Sequence, residues 1–324
     1  MNILFHEQNF SLGGTTRALL DYAEANEKYL NNKSFIAFNR KYEESAHEES
    51  LNELLEDTNQ RFVTIKYDYE AGLENFIGKH GIDAIYTIKS GEPGGFVSAR
   101  AKNLMHAVFP QNPNNFHGDR YAFVSKWLSE ECGNLPYVPH IVKEVPLNRI
   151  RELGHIFREE YDIPLDAKAF GRLGGYNEFN LEFVHKAIEN ALNRDPKLFF
   201  IFCNTKEFLI HPRVLYFSGV YDMEEKYSFI GACDAMIHAR RRGETFGLAI
   251  AEFSSCNKPV FTWEGPYEKA HIQMLGDKGV YYKDGTDLEN LLLDYKIEEQ
   301  GEYNAYKDYN PENVIKTFEQ VFLK

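Results

Sequence analysis

Cysteine is scarce in this chain of 324 residues: four are present, at positions 132, 203, 233 and 256, and none forms a C-x-x-C pair. That spacing excludes a disulfide framework and a dithiol redox motif. The four read as reduced thiols, and Cys203 and Cys233 lie in apolar, strand-like runs expected in a core. No run of about 18 apolar residues exists, so no membrane-spanning helix is expected. The start, MNILFHEQNF, lacks a basic segment leading into an apolar one. No secretion signal is read there, and a cytoplasmic protein is expected. Eleven histidines include no H-E-x-x-H or other ligand spacing, so no metal is expected. Basic excess is also missing. The net charge is −13 and neither half is basic, which argues against nucleic acid as a partner and against docking on anionic lipid. The first glycine turn lacks G-x-G-x-x-G, and no acid ends a second strand where a dinucleotide ribose would need it, which disfavours a dehydrogenase.

What the chain does have is enough apolar content (43%) for two cores and a length that fits two domains. Its most informative stretch is DAMIHARRRGETFGLAIAEFSSCNKPV, from Asp234 to Val260. An apolar run with the look of a buried strand comes first, then a tight turn, a helix starting near Thr245 to Gly247, and a second strand at PVFTW. A helix start points free backbone N–H groups beyond the turn, which suits phosphate, and Gly247 permits close approach to the backbone. Glu252, placed about two turns into that helix, is suited to accept hydrogen bonds from ribose hydroxyls.

ETFGLAIAE, with Glu244 and Glu252 eight residues apart, resembles the E-x7-E signature of retaining GT-B glycosyltransferases of the family 4 type. The resemblance implies an α/β fold with two Rossmann-like domains facing a central cleft, over residues 1–145 and 146–308, and a C-terminal helix in 309–324 that crosses back to the first domain. It implies Glu252 on the ribose of a sugar nucleotide and Glu244 beside the reacting sugar. The amides of Phe246, Gly247 and Leu248 would face the diphosphate. Gly13 and Gly14 resemble the family's N-terminal glycine loop. His106 stands where some relatives carry a histidine near the transferred sugar, and His117 is a second candidate in a polar loop. Arg172 fits the family's phosphate-binding arginine, and Tyr221 follows Gly219 in a loop suited to hold the base.

Two departures stand out. Thr245 replaces the usual glycine, and the expected lysine five residues after Arg172 is Asn177. Arg240, Arg241 or Arg242 is positioned by sequence to restore that charge, Arg242 being the choice carried forward. The implied activity is transfer of a sugar, with retention, from a nucleoside diphosphate sugar (a UDP-sugar by frequency) to a glycan or glycosylated acceptor, with no permanently bound cofactor. Alternatives on the same fold are a sugar-nucleotide epimerase, a phosphorylase and a non-catalytic scaffold that binds a nucleotide sugar or glycan.

Elsewhere, NRKYEESAHEESLNELLED reads as a solvated surface helix, and GEPGGFVSARAKNL as a loop followed by a helix start. Ser90 to Gly95, at the end of the strand IDAIYTIKS, is expected to line the acceptor side. PENVIKTFEQVFLK reads as a helix opened by Pro311.

Overall fold

The computed structural model describes residues 1–8, 10–11, 13–39, 48–219, 222–297 and 301–324. The chain divides into two compact units, Met1–Ile141 with Asp308–Lys324, and Val142–Lys307.

The first unit alternates strands and helices: β1 (Asn2–Glu7), α1 (Gly14–Leu30), β2 (Lys33–Asn39), α2 (Glu48–Arg61), β3 (Val63–Tyr67), α3 (Glu70–His80), β4 (Ala84–Lys89), β5 (Lys102–Ala107), β6 (Arg120–Phe123) and α4 (Lys126–Glu131). The six strands form one parallel sheet in the order β3-β2-β1-β4-β5-β6. Helices on both faces bury both sides of the central strands, so Ile3, Leu4 and Phe5 of β1 are all fully buried and the strand reads as a continuous apolar run. The helix start expected after GEPGGFVSAR is instead β5. Residues 103–107 are buried on both faces, and the Asn103 amide ties the preceding turn by donating to the carbonyls of Ser98 and Ala101 at 3.0 and 3.2 Å. Two-sided burial of a short apolar run favours a central strand over a helix. Of the expected surface helix, residues 48–61 form α2, while 40–47 lie outside the described residues.

The second unit follows the same pattern: α5 (Leu147–Glu160), β7 (Lys168–Leu173), α6 (Glu182–Arg194), β8 (Leu198–Cys203), β9 (Val214–Phe217), α7 (Met223–Ala232), β10 (Ala235–His238), β11 (Gly243–Glu244), α8 (Leu248–Ser255), β12 (Val260–Trp263), β13 (Glu268–Lys269), α9 (Ala270–Leu275), β14 (Gly279–Tyr282) and α10 (Gly285–Asp294). Its parallel sheet runs β14-β12-β10-β7-β8-β9, the same winding as the first, and β11 pairs with β13 in a separate two-residue ladder. Asp222 caps α7 by accepting from the amides of Glu224 and Glu225 at 2.8 and 3.0 Å, worth about 1 kcal/mol.

Close backbone packing fixes α5 on α7. A Cβ on Gly154 would lie 2.2 Å from the carbonyl carbon of Gly231, and one on Gly231 would lie 2.2 Å from the Ile150 oxygen. Beside this crossing the buried Arg158 donates to Asp234 Oδ2 at 2.7 Å and to the Ala232 carbonyl at 2.8 Å. All four cysteines are buried free thiols, with Cys203 and Cys233 fully inaccessible.

The last helix, α11 (Pro311–Phe318), belongs to the first unit. Asn310 caps it, accepting from the Asn313 amide at 3.0 Å, and Pro311 occupies the first turn, where its missing N–H costs nothing. Phe318 packs against Phe5, Tyr22 and Tyr86. No helix among the described residues is long and apolar enough to cross a membrane.

Candidate functional site

In each sheet the winding reverses beside its first strand, between β1 and β4 and between β7 and β10. Crevices that take ligands open there, beyond the carboxyl ends of the strands. In the second unit this point brings together His238 at the end of β10, Arg172 near the end of β7, and Glu244.

Glu244 sits in a tight turn that only glycine completes on either side. Gly243 has φ +84°, and a Cβ there would lie 1.9 Å from the Glu268 carbonyl oxygen. Gly247, at φ 85°, precedes α8. The Glu244 carboxylate is held at both oxygens, accepting from His238 Nε2 at 3.2 Å and from Arg240 Nη1 at 2.8 Å. Burial alone would raise its pKa, but His238, Arg240 and His271 outweigh that and hold it at about 2. Glu244 therefore stays an anion.

The carboxylate also sets the direction of a buried chain. His238 Nε2 donates to it; in the neutral ring Nδ1 then accepts from Thr262 Oγ1 at 2.9 Å, and Thr262 Oγ1 in turn accepts from His271 Nε2 at 3.2 Å. Thr262 and His271 are fully buried. Burial first, and then the neighbouring His238, lower the His271 pKa to about 3.

The turn after Glu244 enters α8. Gly247 has no side chain to cap the helix, so the first amides of α8 point outward without intrahelical acceptors. Phe246 is buried against Tyr306, with ring centroids 5.8 Å apart, which fixes the backbone before the helix. Glu252 is the fifth residue of α8, a little over one turn in rather than two. Its Oε1 accepts from Lys226 Nζ at 2.8 Å.

The arginines are committed to protein partners. Arg240 pairs with Glu178 as well as Glu244. Arg242 Nε donates to Oε1 of the fully buried Glu268 at 2.7 Å. Arg172 is 4% exposed. It donates to the Asn204 carbonyl at 2.9 Å, Thr205 Oγ1 at 2.6 Å and the Gly175 carbonyl at 2.7 Å. Burial lowers it to about 10. These three acceptors tie the Arg172 guanidinium to the loops after β7 and β8. Asn177 is exposed, and its carbonyl accepts from the Asn180 side chain at 3.3 Å.

His106 lies at the end of β5 but its ring is fully buried. Tyr86 Oη contacts Nδ1 at 2.5 Å, and Tyr22, His140 and Phe322 surround it. Alternation along the strand turns it into the core under α1 and α11, where burial lowers it to about 4. Gly13 caps α1 and Gly14 opens it. That helix start already faces a carboxyl, since Thr15 Oγ1 donates to Glu7 Oε1 at 2.8 Å. Tyr221, with Val220, lies outside the described residues.

Several members of the site gave no readable signal in the sequence. Glu178, Lys226, Glu268, Thr262 and His271 are brought in by separate elements. Only Arg240, four residues before Glu244, stood near the motif. Among the described residues no cluster of three or more His, Cys, Asp or Glu is arranged to hold a metal.

No protein-family model matches the chain, and no curated protein matches it. Solved structures do. A glycosyltransferase from Rickettsia africae matches at TM-score 0.67 and 14% identity, covering 99% of this chain and 97% of its own. Anabaena Alr3699/HepE in complex with UDP-glucose matches at 0.66 and 15%, covering 99% and 95%. A variant of S. aureus TarM in complex with fondaparinux, α-GlcNAc-glycerol and UDP matches at 0.70 and 8%, covering 100% and 99%. Likeness over the full length at such low identity establishes architecture: the chain has the GT-B fold, built from two Rossmann-like units.

Proposed function

We propose that the protein is a glycosyltransferase that moves a sugar from a nucleoside diphosphate sugar, UDP-linked, to a hydroxyl of a glycan or glycosylated acceptor, with retention of configuration and in the cytoplasm. The observation that carries this reading is the arrangement around α8. An anionic Glu244 is fixed before the helix start, uncapped amides open the helix, and Glu252 follows one turn later. The solved structures that share the fold include Alr3699/HepE in complex with UDP-glucose and a TarM variant in complex with UDP.

In this mechanism the amides of Phe246, Gly247 and Leu248 meet the diphosphate and stabilise charge as it builds on the leaving group. Glu252 accepts from the ribose through Oε2, which takes no hydrogen bond from a described residue, while Lys226 holds Oε1 in place. Glu244, unable to carry a proton near neutrality, stabilises positive charge developing on the sugar rather than acting as an acid. Arg241, whose side chain is exposed and makes no ion pair among the described residues, supplies the cation missing at Asn177. Arg242 reaches the phosphates only by leaving Glu268.

A second reading is a binding scaffold without turnover. The commitment of Arg172, Arg240 and Arg242 to protein acceptors favours it, because few cations remain for a leaving diphosphate. Thermal stabilisation by UDP and UDP-sugars, in wild type and Glu252→Ala, tests the donor site, since a ligand that binds the native state raises the melting temperature. UDP should stabilise wild type and not the variant. No response to any nucleotide overturns both readings. Binding without acceptor-dependent sugar transfer selects the scaffold.

A further inference from the structure

In the first unit the switch point lies between β1 and β4. Lys89 ends β4, and its ammonium is half-buried. Nζ donates to the Gly94 carbonyl at 2.6 Å and to His117 Nε2 at 3.2 Å. The direction of the second bond is fixed by the other ring nitrogen. His117 Nδ1 lies 2.7 Å from the Asn115 carbonyl, which only accepts, so Nδ1 carries the hydrogen and Nε2 presents a lone pair. Both partners of the ammonium are therefore neutral acceptors, and no carboxylate forms an ion pair with it among the described residues. Glu92 acts on it only through space, and burial lowers the lysine below its ordinary pKa.

The backbone beneath this lysine is rigid. The Lys89 carbonyl accepts from the Val108 amide at 3.0 Å, that of Ser90 from the Phe109 amide at 3.2 Å, and that of Gly91 from Tyr121 Oη at 2.8 Å. Gly91 has φ +108°, and a Cβ there would meet Tyr121 Oη at 2.6 Å. Gly94, at φ +114°, turns its carbonyl onto the ammonium. A half-buried cation on a fixed platform, held only by neutral acceptors at a ligand-collecting strand end, is arranged to meet an anion.

Resting on the glycosyltransferase reading, we propose that Lys89, positioned by His117, binds an anionic group, phosphate or carboxylate, carried by the acceptor. The acceptor is then an acidic glycan or a sugar phosphate ester rather than a neutral glycan.

The test is thermal-shift titration of the full chain, with UDP saturating, using glycerol 3-phosphate and glucuronate as anionic probes and glycerol and glucose as neutral ones. At least one anionic probe should raise the melting temperature of wild type while the neutral probes do not, and the response identifies which anion is taken. Lys89→Met should bind that probe about 10-fold to 100-fold more weakly, the loss of one charge-assisted hydrogen bond, while its UDP response is unchanged. His117→Ala, which keeps the cation but not its orientation, should give a smaller loss and serves if Lys89→Met does not fold. An equal response in Lys89→Met and wild type, or no anionic response in wild type, overturns the proposal. Failure of UDP itself to bind would instead overturn the donor reading, and the probes are then titrated without it.

Discussion

Arg240 reaches the Glu244 carboxylate at 2.8 Å from a position four residues earlier in the chain, although neither residue lies in a helix. The turn between them, closed by Gly243 against the Glu268 carbonyl, brings cation and anion together and leaves Glu244 ionised at every working pH. Glu244→Gln keeps the shape and removes the charge. It should lower kcat by about 100-fold to 1,000-fold, as removal of one preorganised electrostatic group does, with UDP affinity nearly unchanged because Glu252 and the α8 amides are intact. Steady-state kinetics and UDP titration check this. A parallel fall in kcat and UDP affinity would place Glu244 in nucleotide binding instead.

Buried histidines set the acid limit of stability. His6 and His106 are lowered to about 4 and His271 to about 3, all chiefly by burial. Each folded-state pKa lies below the ordinary 6.5, so each contributes stability above that value and loses it as pH falls toward the folded pKa. His140 is lowered likewise by burial, and four such histidines, less the one proton that Glu7 holds only in the folded state at this pH, make the unfolded chain bind up to three more protons near pH 5, a slope of roughly 4 kcal/mol per pH unit. Glu7, raised to about 7 by burial, has the opposite sign. Its contribution is complete below about 4.5 and is lost as pH rises through 7. Denaturant unfolding between pH 8 and pH 5 should therefore show stability falling steeply below about 6.5. His6→Gln should remove about one proton from the slope.

Glycines separate into those that packing requires and those it does not. Gly154→Ala would drive a methyl to 2.2 Å from the Gly231 backbone, and the α5–α7 contact must part. A loss of about 2–3 kcal/mol is expected, typical of overpacking. Gly72, inside α3, has nothing within 4 Å of an added Cβ, and Gly72→Ala should stabilise by about 0.5–1 kcal/mol. Chemical denaturation of the two variants decides both, and equal effects would mean the helix crossing tolerates separation.

The strands were legible in the sequence because two-sided burial leaves a continuous apolar trace, as in NILFHE, AIYTIK and LFFIFC. The turn at Gly243 to Leu248 was legible because few residue types satisfy its backbone. What could not be read is where polar side chains turn. His106 alternates into the core, and nothing in NLMHAVF marks which face of β5 lies under α11. Glu178, Lys226 and Glu268 come from a loop, a helix and a short strand, 62, 26 and 26 residues from their partners, so their pairing with Arg240, Glu252 and Arg242 is a product of folding and not of spacing. The strand β5 was missed because its apolar run is too short for periodicity to separate strand from helix.

Arg172 decides between two roles that a sequence motif cannot separate. Its guanidinium serves Asn204, Thr205 and Gly175 together, and this planar fork has no equivalent in a lysine ammonium, which is a single point. If closing these loops is its work, Arg172→Lys leaves buried acceptors unpaired and should cost about 2–4 kcal/mol of stability. Any loss of UDP binding would then follow loop displacement and would be recovered in part at lower temperature, where the loops reclose. If the residue instead contacts phosphate, Arg172→Lys should keep wild-type stability and lose UDP affinity at all temperatures. Unfolding free energy and UDP titration on the same preparation separate the two, and the burial of the side chain favours the first.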